Sequence, residues 1–293
     1  MFERDEVIPL SEDVFRLIRD IIREHCGLYF DDNSRYLLEK RLTRRVRMRH
    51  LDNFRDYYRF ILYDRNSAEE LTQIIDVLTV NETYFFREQN QLRALNEEIL
   101  EELRERNKAK RTLRIWSAGC STGEEPYTIA MLINEKGCFA GWDVEIHGSD
   151  INQRVLQVAR RGIYKKNSFR TTEFYFKSKY FVEEDGAYKI QDDVKRLVTF
   201  SYLNLIDPVK TRFLGKMDVI LCRNVLIYFD GASRKKVIDN FYDRLVDGGY
   251  LLLGHAESLI NLSTAFTLRH FKNDMVYLKP PKKEIISGRD RGY

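Results

Sequence analysis

A short apolar run that leads into a glycine-rich turn and then into a helix constrains this chain most strongly. The segment LRIWSAGCSTGEEPYTIAM (113–131) predicts a buried strand, a turn from Gly119 to Gly123, and a helix that begins near Glu124. In open α/β sheets, ligands bind where such turns leave the carboxyl ends of parallel strands. The segment therefore predicts a ligand-binding α/β domain, although the same glycines are compatible with a purely structural tight turn.

The rest of the chain after about Leu92 alternates short apolar runs with helical segments, which is typical of a parallel α/β sheet. The predicted strands are 113–116, 144–148, 197–202, 218–222 and 250–254. Between residues 173 and 194, aromatic and polar residues partly alternate around Asp185 and Gly186. That pattern predicts a small antiparallel hairpin inserted into the sheet domain.

The N-terminal region has helical rather than strand periodicity. Apolar residues recur at spacings of three and four in two groups, Val14, Leu17, Ile18, Ile21 and Ile22, and Leu38, Leu42 and Val46. Ser11 is a predicted N-cap, Gly27 a predicted helix stop, and residues 31–33 a predicted cap for the next helix. We therefore expect a helical domain over 1–78, a linker over 79–91, a sheet domain over 92–280 with a β-subdomain at about 173–196, and a disordered polar tail over 281–293.

Composition bounds the location of the protein and its partners. The 293 residues are 43% hydrophobic, which suffices for two unequal packed domains. No run approaches the roughly 18 apolar residues of a membrane span, and the N-terminus lacks the apolar core of a signal peptide. We expect a cytoplasmic protein without membrane insertion. The four cysteines form no CxxC pair, so we expect reduced packing residues and no metal site; they are Cys26, Cys120, Cys138 and Cys222.

The positive charge is concentrated in one predicted helix. The net charge of +4 does not by itself indicate nucleic acid or lipid, but residues 35–50 carry seven basic residues against one acid. With Leu38, Leu42 and Val46 on the inner face, Lys40, Arg44 and Arg47 fall roughly opposite. This face can meet an acidic helix or can simply be solvated.

Acidic residues at the ends of predicted strands narrow the class of ligand. Glu124 and Glu125 at a helix N-terminus would repel a phosphate but suit the sulfonium and amino groups of S-adenosylmethionine. Asp150 ends the second strand, where its carboxylate can accept ribose hydroxyl hydrogens or cap the next helix. The third and fourth strands end in the pairs Asn204-Leu205 and Arg223-Asn224. This charge pattern favours S-adenosylmethionine over a dinucleotide.

Three longer motifs carry a resemblance to a known family. NETYFFRE (81–88), GCSTGEEPY (119–127) and CRNVLIYFD (222–230) resemble the signature blocks of chemotaxis receptor methyltransferases, the CheR family, and the similarity runs from about residue 11 to 278. The resemblance implies a class I S-adenosylmethionine-dependent (Rossmann-like) methyltransferase domain with a small β-subdomain, preceded by a small all-helical domain. It also implies methyl transfer to glutamate side chains of methyl-accepting chemotaxis receptors, with S-adenosylhomocysteine as the spent product.

The resemblance also implies roles for individual residues. Cofactor contacts would come from Asn81, Thr83, Arg87, Glu124, Asp150, Asn204, Leu205, Arg223 and Asn224. Arg87 and Tyr228 would lie near the transferred methyl, although Tyr228 alone would suit a core aromatic. The helical bundle of the receptor would meet Lys40, Arg41, Arg44, Arg45 and Arg47. Some family members grip a receptor tether through a glycine-rich hairpin loop. Since only Gly186 is available here, we expect an enzyme that works without the tether. We also expect the enzyme to be a monomer.

Three alternatives share parts of this pattern. A nucleic-acid methyltransferase could use the basic helix on phosphates, but residues 223–226 read RNVL instead of the Asn/Asp-Pro-Pro-aromatic motif of base-amino methyltransferases. A serine hydrolase would use Ser121 in GxSxG with Asp218 and His255, yet a helical bundle precedes this motif instead of strands. The third alternative is a module that binds cofactor without catalysis. We expect a receptor partner and no nucleic acid.

Overall fold

The computed structural model describes residues 7–281, and these begin with a bundle of four helices. The helices are α1 (Glu12–Cys26), α2 (Arg35–Met48), α3 (Phe54–Tyr63) and α4 (Ser67–Leu78). Their apolar faces meet in a core that includes Ile18, Leu38, Tyr57 and Ile74. As predicted, α1 ends at Gly27, which has a left-handed φ of 80°. A short 3₁₀ turn at 32–34 precedes α2, where the cap was predicted.

A buried ion cluster fixes α2 against α3 and α4. Glu70 is fully buried, and its carboxylate accepts from Arg45 Nε at 2.9 Å, Arg45 Nη2 at 2.7 Å, Arg49 Nε at 2.5 Å and the Tyr57 hydroxyl at 2.6 Å. Arg45 is 6% exposed. The prediction that Arg45 contacts a receptor is contradicted, because its guanidinium is buried and pairs with Glu70 inside the domain.

The chain then enters the sheet domain through a linker and a long helix. Residues 79–88 run without regular structure into α5 (Gln89–Ala94), which continues through a single π turn, Leu95–Ile99, into α6 (Leu100–Asn107). Leu95, Ile99 and Leu103 of this helix are buried against the sheet.

The sheet domain has strands β1 (Thr112–Ala118), β2 (Asp143–Asp150), β3 (Ile163–Tyr164), β4 (Phe181–Glu184), β5 (Ala187–Ile190), β6 (Val198–Tyr202), β7 (Met217–Cys222), β8 (Leu245–Leu253), β9 (Thr267–His270) and β10 (Met275–Leu278). Between them lie helices α7 (Glu124–Lys136), α8 (Gln153–Arg161), α9 (Phe174–Tyr180), α10 (Asp192–Lys195), α11 (Pro208–Arg212) and α12 (Gly231–Arg244). Each of the five strands predicted for the main sheet overlaps an observed strand. Strands β9 and β10 were not predicted.

The main sheet has seven strands in the order β6-β2-β1-β7-β8-β10-β9. The pairs from β6 to β8 are parallel, and β10 is antiparallel to both of its neighbours. The chain leaves β1 for β2 on one side and later returns to β7 on the other. Ligands of open α/β sheets bind at such a reversal, beyond the carboxyl ends of the strands.

A small three-stranded antiparallel sheet, ordered β3-β5-β4, branches from this domain. Its β4–β5 turn falls at Asp185 and Gly186, so the predicted hairpin is confirmed. The predicted strand character of residues 173–180 is wrong, because most of this stretch forms α9. Phe176 and Tyr180, four residues apart, stack on one helix face with ring centroids 6.3 Å apart.

The helical bundle packs directly on the carboxyl edge of the main sheet. Asp76 of α4 accepts from the Gln153 backbone N–H at 3.0 Å, and Asn204 Nδ2 donates to the His25 carbonyl at 2.6 Å. The Tyr29 N–H donates to the Tyr228 carbonyl at 2.9 Å. These contacts bring the end of α1 and the linker over the expected ligand site.

Two predictions concern membrane insertion and the C-terminal tail. None of the helices within residues 7–281 combines the length and apolar character that crossing a bilayer requires. Apart from Pro281, the tail predicted to be disordered lies outside the described residues.

Candidate active site

A cavity of about 310 Å³ lies at the carboxyl ends of β1, β2, β6 and β7. The linker and the residues just after α1 cover it. Of the ten residues predicted to contact the cofactor or the transferred methyl, nine line this cavity: Asn81, Thr83, Arg87, Asp150, Asn204, Leu205, Arg223, Asn224 and Tyr228. The structure thus brings together residues that are up to about half the chain apart in sequence.

The glycine turn after β1 forms the floor of the cavity. Gly119 has a φ of 79°, and a Cβ added there would overlap Val225 Cγ2. Ser121 also has a left-handed φ, of 49°. The Gly119 and Cys120 N–H groups donate to the Ser149 carbonyl at 2.8 and 2.9 Å, which ties the turn to the end of β2. Only glycine fits at residue 119, because both the backbone conformation and the space require it.

Asp150 ends β2 beneath this turn, and its carboxylate is held by backbone donors. Oδ2 accepts from the Ser121 N–H and Oδ1 from the Asn152 N–H, both at 2.8 Å. Burial raises the pKa of Asp150 to about 6, although these N–H bonds oppose the shift. Since a carboxylate has about four lone-pair sites, these bonds leave room for a ligand hydroxyl.

The two glutamates that begin α7 point in different directions. Glu124 does not line the cavity: it is 2% exposed and accepts from Thr122 Oγ1 at 2.6 Å and Ser168 Oγ at 3.0 Å, and burial raises its pKa. Glu124 was predicted to contact the cofactor, but Glu125 is the glutamate of this pair that lines the cavity. A sequence signal existed, because Glu124 shares the i, i+3, i+4 spacing of buried Tyr127 and Thr128.

Arg223 connects Glu125 to the linker. Its Nη1 lies 3.0 Å from Glu125 Oε2, its Nη2 lies 3.1 Å from Glu88 Oε2, and Nη2 also donates to the Arg87 carbonyl. Glu125 Oε1 accepts in turn from Ser117 Oγ at 2.7 Å. Although Arg223 lines the cavity, its guanidinium serves to orient Glu125 and the linker backbone.

Arg87 and Tyr228 line the cavity near the linker. Arg87 lies between two residues with left-handed backbone, Phe86 at φ 59° and Glu88 at φ 56°, and its Nη1 donates to the Glu82 carbonyl at 2.7 Å. Burial raises the pKa of Tyr228 and the nearby Arg87 lowers it in part, so the net shift is upward. The Tyr228 hydroxyl therefore keeps its proton at neutral pH and can donate a hydrogen bond.

Helix α2 connects the cavity to the surface. Leu37 and Arg41 line the cavity, and Arg41 Nη1 donates to the Leu78 carbonyl at 2.8 Å. Arg41, which was predicted to contact the receptor, thus belongs to the cavity wall. Lys40 and Arg44 are exposed on that outer face, and Arg47 is half-buried.

Some cavity residues were not predicted from the sequence. Leu28, Tyr29 and Phe30, just after α1, also line it. They follow Gly27 in an apolar run without periodicity, so nothing in the local sequence distinguishes them from core residues. Only the packing of the bundle on the sheet brings them to the site.

The geometry rules out the serine hydrolase alternative. Asp218 lies at the start of β7, where it pairs with Arg106 at 2.6 Å and accepts from the Arg114 N–H at 2.9 Å. Ser121 lies beyond the opposite end of the sheet and donates to the Asn81 carbonyl at 3.1 Å. Because Asp218 and Ser121 lie at opposite edges, no catalytic triad forms from these residues.

The residues present fit S-adenosylmethionine. The cavity has two carboxylates, Asp150 and Glu125, for hydroxyl and cationic groups. Asn224 also lines it, and its buried Oδ1 has no hydrogen-bond partner among the described residues. A ligand rich in donors would satisfy these acceptors. Together with the strand order and the site at the β1 reversal, this defines a class I S-adenosylmethionine-dependent methyltransferase.

Comparison with known proteins identifies the family. The model of the CheR methyltransferase, SAM binding domain, matches residues 81–277, and that of the CheR methyltransferase, all-alpha domain, matches residues 13–79. Chemotaxis protein methyltransferase 2 of Vibrio cholerae is 39% identical over 282 residues, covering 94% of this chain and 96% of that protein. The chemotaxis protein methyltransferase of Borreliella burgdorferi is 37% identical, with 85% and 89% covered, and that of Salmonella typhimurium is 33% identical, with 92% of each covered. This chain belongs to the CheR family of chemotaxis methyltransferases.

Proposed function

We propose that this enzyme transfers a methyl group from S-adenosylmethionine to glutamate side chains of methyl-accepting chemotaxis receptors and forms glutamyl methyl esters. The observation that carries the proposal is the placement of Arg87 and Tyr228. A guanidinium and a protonated hydroxyl line the same cavity as the carboxylates that fit the cofactor. Both groups suit an anionic acceptor, and the names of the relatives agree with a role in chemotaxis.

The acceptor itself explains why no general base is required. A glutamate with a pKa of about 4.3 is ionised at neutral pH and is already a nucleophile. When bound, S-adenosylmethionine supplies an electrophilic methyl group on a sulfonium. The protein must align the carboxylate with that methyl group and exclude water around it. Arg87 holds the acceptor carboxylate, and Tyr228 donates a hydrogen bond that orients it.

The basic helix provides a route for the acceptor to the cavity. Lys40 and Arg44 lie exposed on α2, while Leu37 and Arg41 of the same helix line the cavity. An acidic receptor helix that contacts the exposed bases would thus have its glutamates within reach of Arg87. Opposite charges across such a contact speed encounter and select the partner.

Mapping of methylated residues on a receptor fragment tests the proposal. The purified enzyme, S-adenosylmethionine and a cytoplasmic receptor fragment should give added methyl groups on glutamates, as located by peptide mass spectrometry. Arg87→Ala should lower turnover by about a hundredfold, as expected when a donor at the reacting group is removed. The control is Arg93→Ala, because Arg93 is exposed and lies outside the cavity.

Three results would count against it. Methyl groups mapped only to other residue types would overturn the glutamate assignment. Turnover of Arg87→Ala equal to that of Arg93→Ala would remove Arg87 from the site. Transfer to added RNA instead of the receptor would favour the nucleic-acid alternative.

A further inference from the structure

A glutamate outside the cavity binds the loop that carries Asn224 and Tyr228. Glu257 follows β8, and its carboxylate accepts four backbone N–H groups. Oε2 accepts from Gly254 at 2.7 Å and from Asn224 at 2.8 Å. Oε1 accepts from Val225 at 2.9 Å and from Ile227 at 3.3 Å. Glu257 is not among the residues that line the cavity.

Three of these four donors belong to one loop, residues 223–228, which leaves β7 at the cavity. Asn224 has a left-handed φ of 60°, which is uncommon for a residue other than glycine. A short 3₁₀ turn at 226–228 follows and carries Tyr228. Backbone N–H groups that converge in such a loop form a concave anion site, and bonds to a carboxylate are stronger than neutral ones. The Glu257 carboxylate fills that site from within the protein.

The backbone at the end of β8 packs closely against Asn224 and Glu257. A Cβ added to Gly254 would lie 2.8 Å from both the Asn224 nitrogen and Glu257 Oε2. The loop therefore rests directly on the backbone that carries Glu257. Because no free space separates them, a shift of this carboxylate would also move Asn224 and Tyr228.

We infer that Glu257 is a positioning residue for methyl transfer, which fixes the backbone of residues 224–227 so that Asn224 and Tyr228 face the cofactor and the acceptor. The effect on turnover rests on the proposed function, because it assumes the role given there to Tyr228. The effect on cofactor binding does not, because Asn224 lines the cavity whatever the acceptor is.

The substitution that tests this is Glu257→Gln. Glutamine keeps the size of the side chain but replaces one acceptor oxygen by an NH₂ group, which would face two N–H donors in either orientation. Glu98→Gln is the matched control. Glu98 Oε1 accepts from the Lys272 N–H at 2.9 Å, in the turn between β9 and β10 and away from the cavity. Both residues accept backbone N–H groups from distant parts of the chain, but glutamine at residue 98 can keep its single bond through the carbonyl oxygen, whereas glutamine at residue 257 cannot keep all four.

Two readouts separate positioning from simple folding. Calorimetry with S-adenosylhomocysteine needs no acceptor, and Glu257→Gln should weaken its binding by about tenfold through loss of the Asn224 geometry. With receptor as acceptor, kcat should fall by about a hundredfold, the cost of a small misplacement at a reacting centre, while KM for receptor stays unchanged. Glu98→Gln should match the wild type in both. Glu257→Asp, which keeps the charge but shortens the reach, should recover part of each loss.

The outcomes are distinct. A folded Glu257→Gln or Glu257→Asp enzyme with wild-type affinity and kcat overturns the inference. Losses of affinity and kcat that are merely proportional to the fraction of unfolded protein, measured by circular dichroism at the assay temperature, would also overturn it. If the wild type fails to methylate receptors, the proposed function is refuted, but the S-adenosylhomocysteine affinities still decide the role of Glu257.

Discussion

Replacing Arg45 by methionine removes the guanidinium that binds both carboxylate oxygens of Glu70. Glu70 is fully buried, so the change leaves a charge inside the bundle with fewer donors. Removing one partner of a buried ion pair costs about 3–5 kcal/mol. Because Arg49 and Tyr57 still donate to Glu70, at 2.5 and 2.6 Å, we expect the lower end, a loss of about 3 kcal/mol in the free energy of unfolding.

The neighbouring residue on α2 provides the control. Arg44 is exposed, so Arg44→Met should change the free energy of unfolding by no more than about 0.5 kcal/mol. Urea titrations of the full chain, followed by circular dichroism at pH 7, measure both changes. Equal stabilities of the two variants would refute the assignment of Arg45 to the interior. A larger loss for Arg44→Met would do the same.

The same cluster predicts how the difference depends on pH. Burial raises the pKa of Glu70, but the hydrogen bonds from Arg45, Tyr57 and Arg49 outweigh it and leave the pKa lowered. An acid with a lowered pKa in the folded protein adds stability above its unfolded pKa of about 4.3 and loses it as pH falls through the folded pKa. The difference between wild type and Arg45→Met should therefore be full at pH 7 and shrink in acid. A difference that grows in acid would contradict this account.

Three further predictions concern binding. Arg44→Glu should raise KM for receptor by about tenfold at low salt without changing S-adenosylhomocysteine affinity, and an unchanged KM would remove α2 from recognition. S-adenosylhomocysteine affinity should fall as pH is lowered through about 6, because protonation of Asp150 removes an acceptor for ligand hydroxyls. Asp150→Asn should flatten this profile, and a flat wild-type profile would contradict the role of Asp150. Gly119→Ala should abolish cofactor binding, since its Cβ overlaps Val225, whereas Gly137→Ala has a similar φ of 65° but open space and should bind normally. Equal affinities of the two alanine variants would show that the turn tolerates a side chain.

The main sheet could be predicted because its central strands are continuous apolar runs. Strands β1 and β7 are almost fully buried, so their sequences carry a strong signal. Strand β9 is mostly exposed, and β10 is an apolar run of only four residues, so neither stands out from the segments around it. Helix α9 was missed because its consecutive aromatic residues resemble a strand until Phe176 and Tyr180 are seen to stack.

The site residues could be predicted where a local sequence pattern indicates them, at turns after strands and in the linker motif. They could not be predicted where the surroundings of a side chain depend on a residue distant in sequence. Arg45 is one of seven basic residues within 35–50, and its burial depends on Glu70, 25 residues away. Tyr29 and Phe30 reach the cavity only because α1 packs beside Asn204, which bonds the His25 carbonyl 179 residues earlier. Such contacts follow from the packing of the two domains and not from any local pattern.

The most direct test of the central claim follows the methyl group itself. Purified enzyme is incubated with methyl-labelled S-adenosylmethionine, receptor-bearing membranes and added RNA, and the labelled receptor is then treated with mild alkali. Label that enters the receptor and is released as methanol would establish a glutamyl methyl ester, as the account predicts. Label on the receptor that resists alkali, or label that enters the RNA, would contradict it.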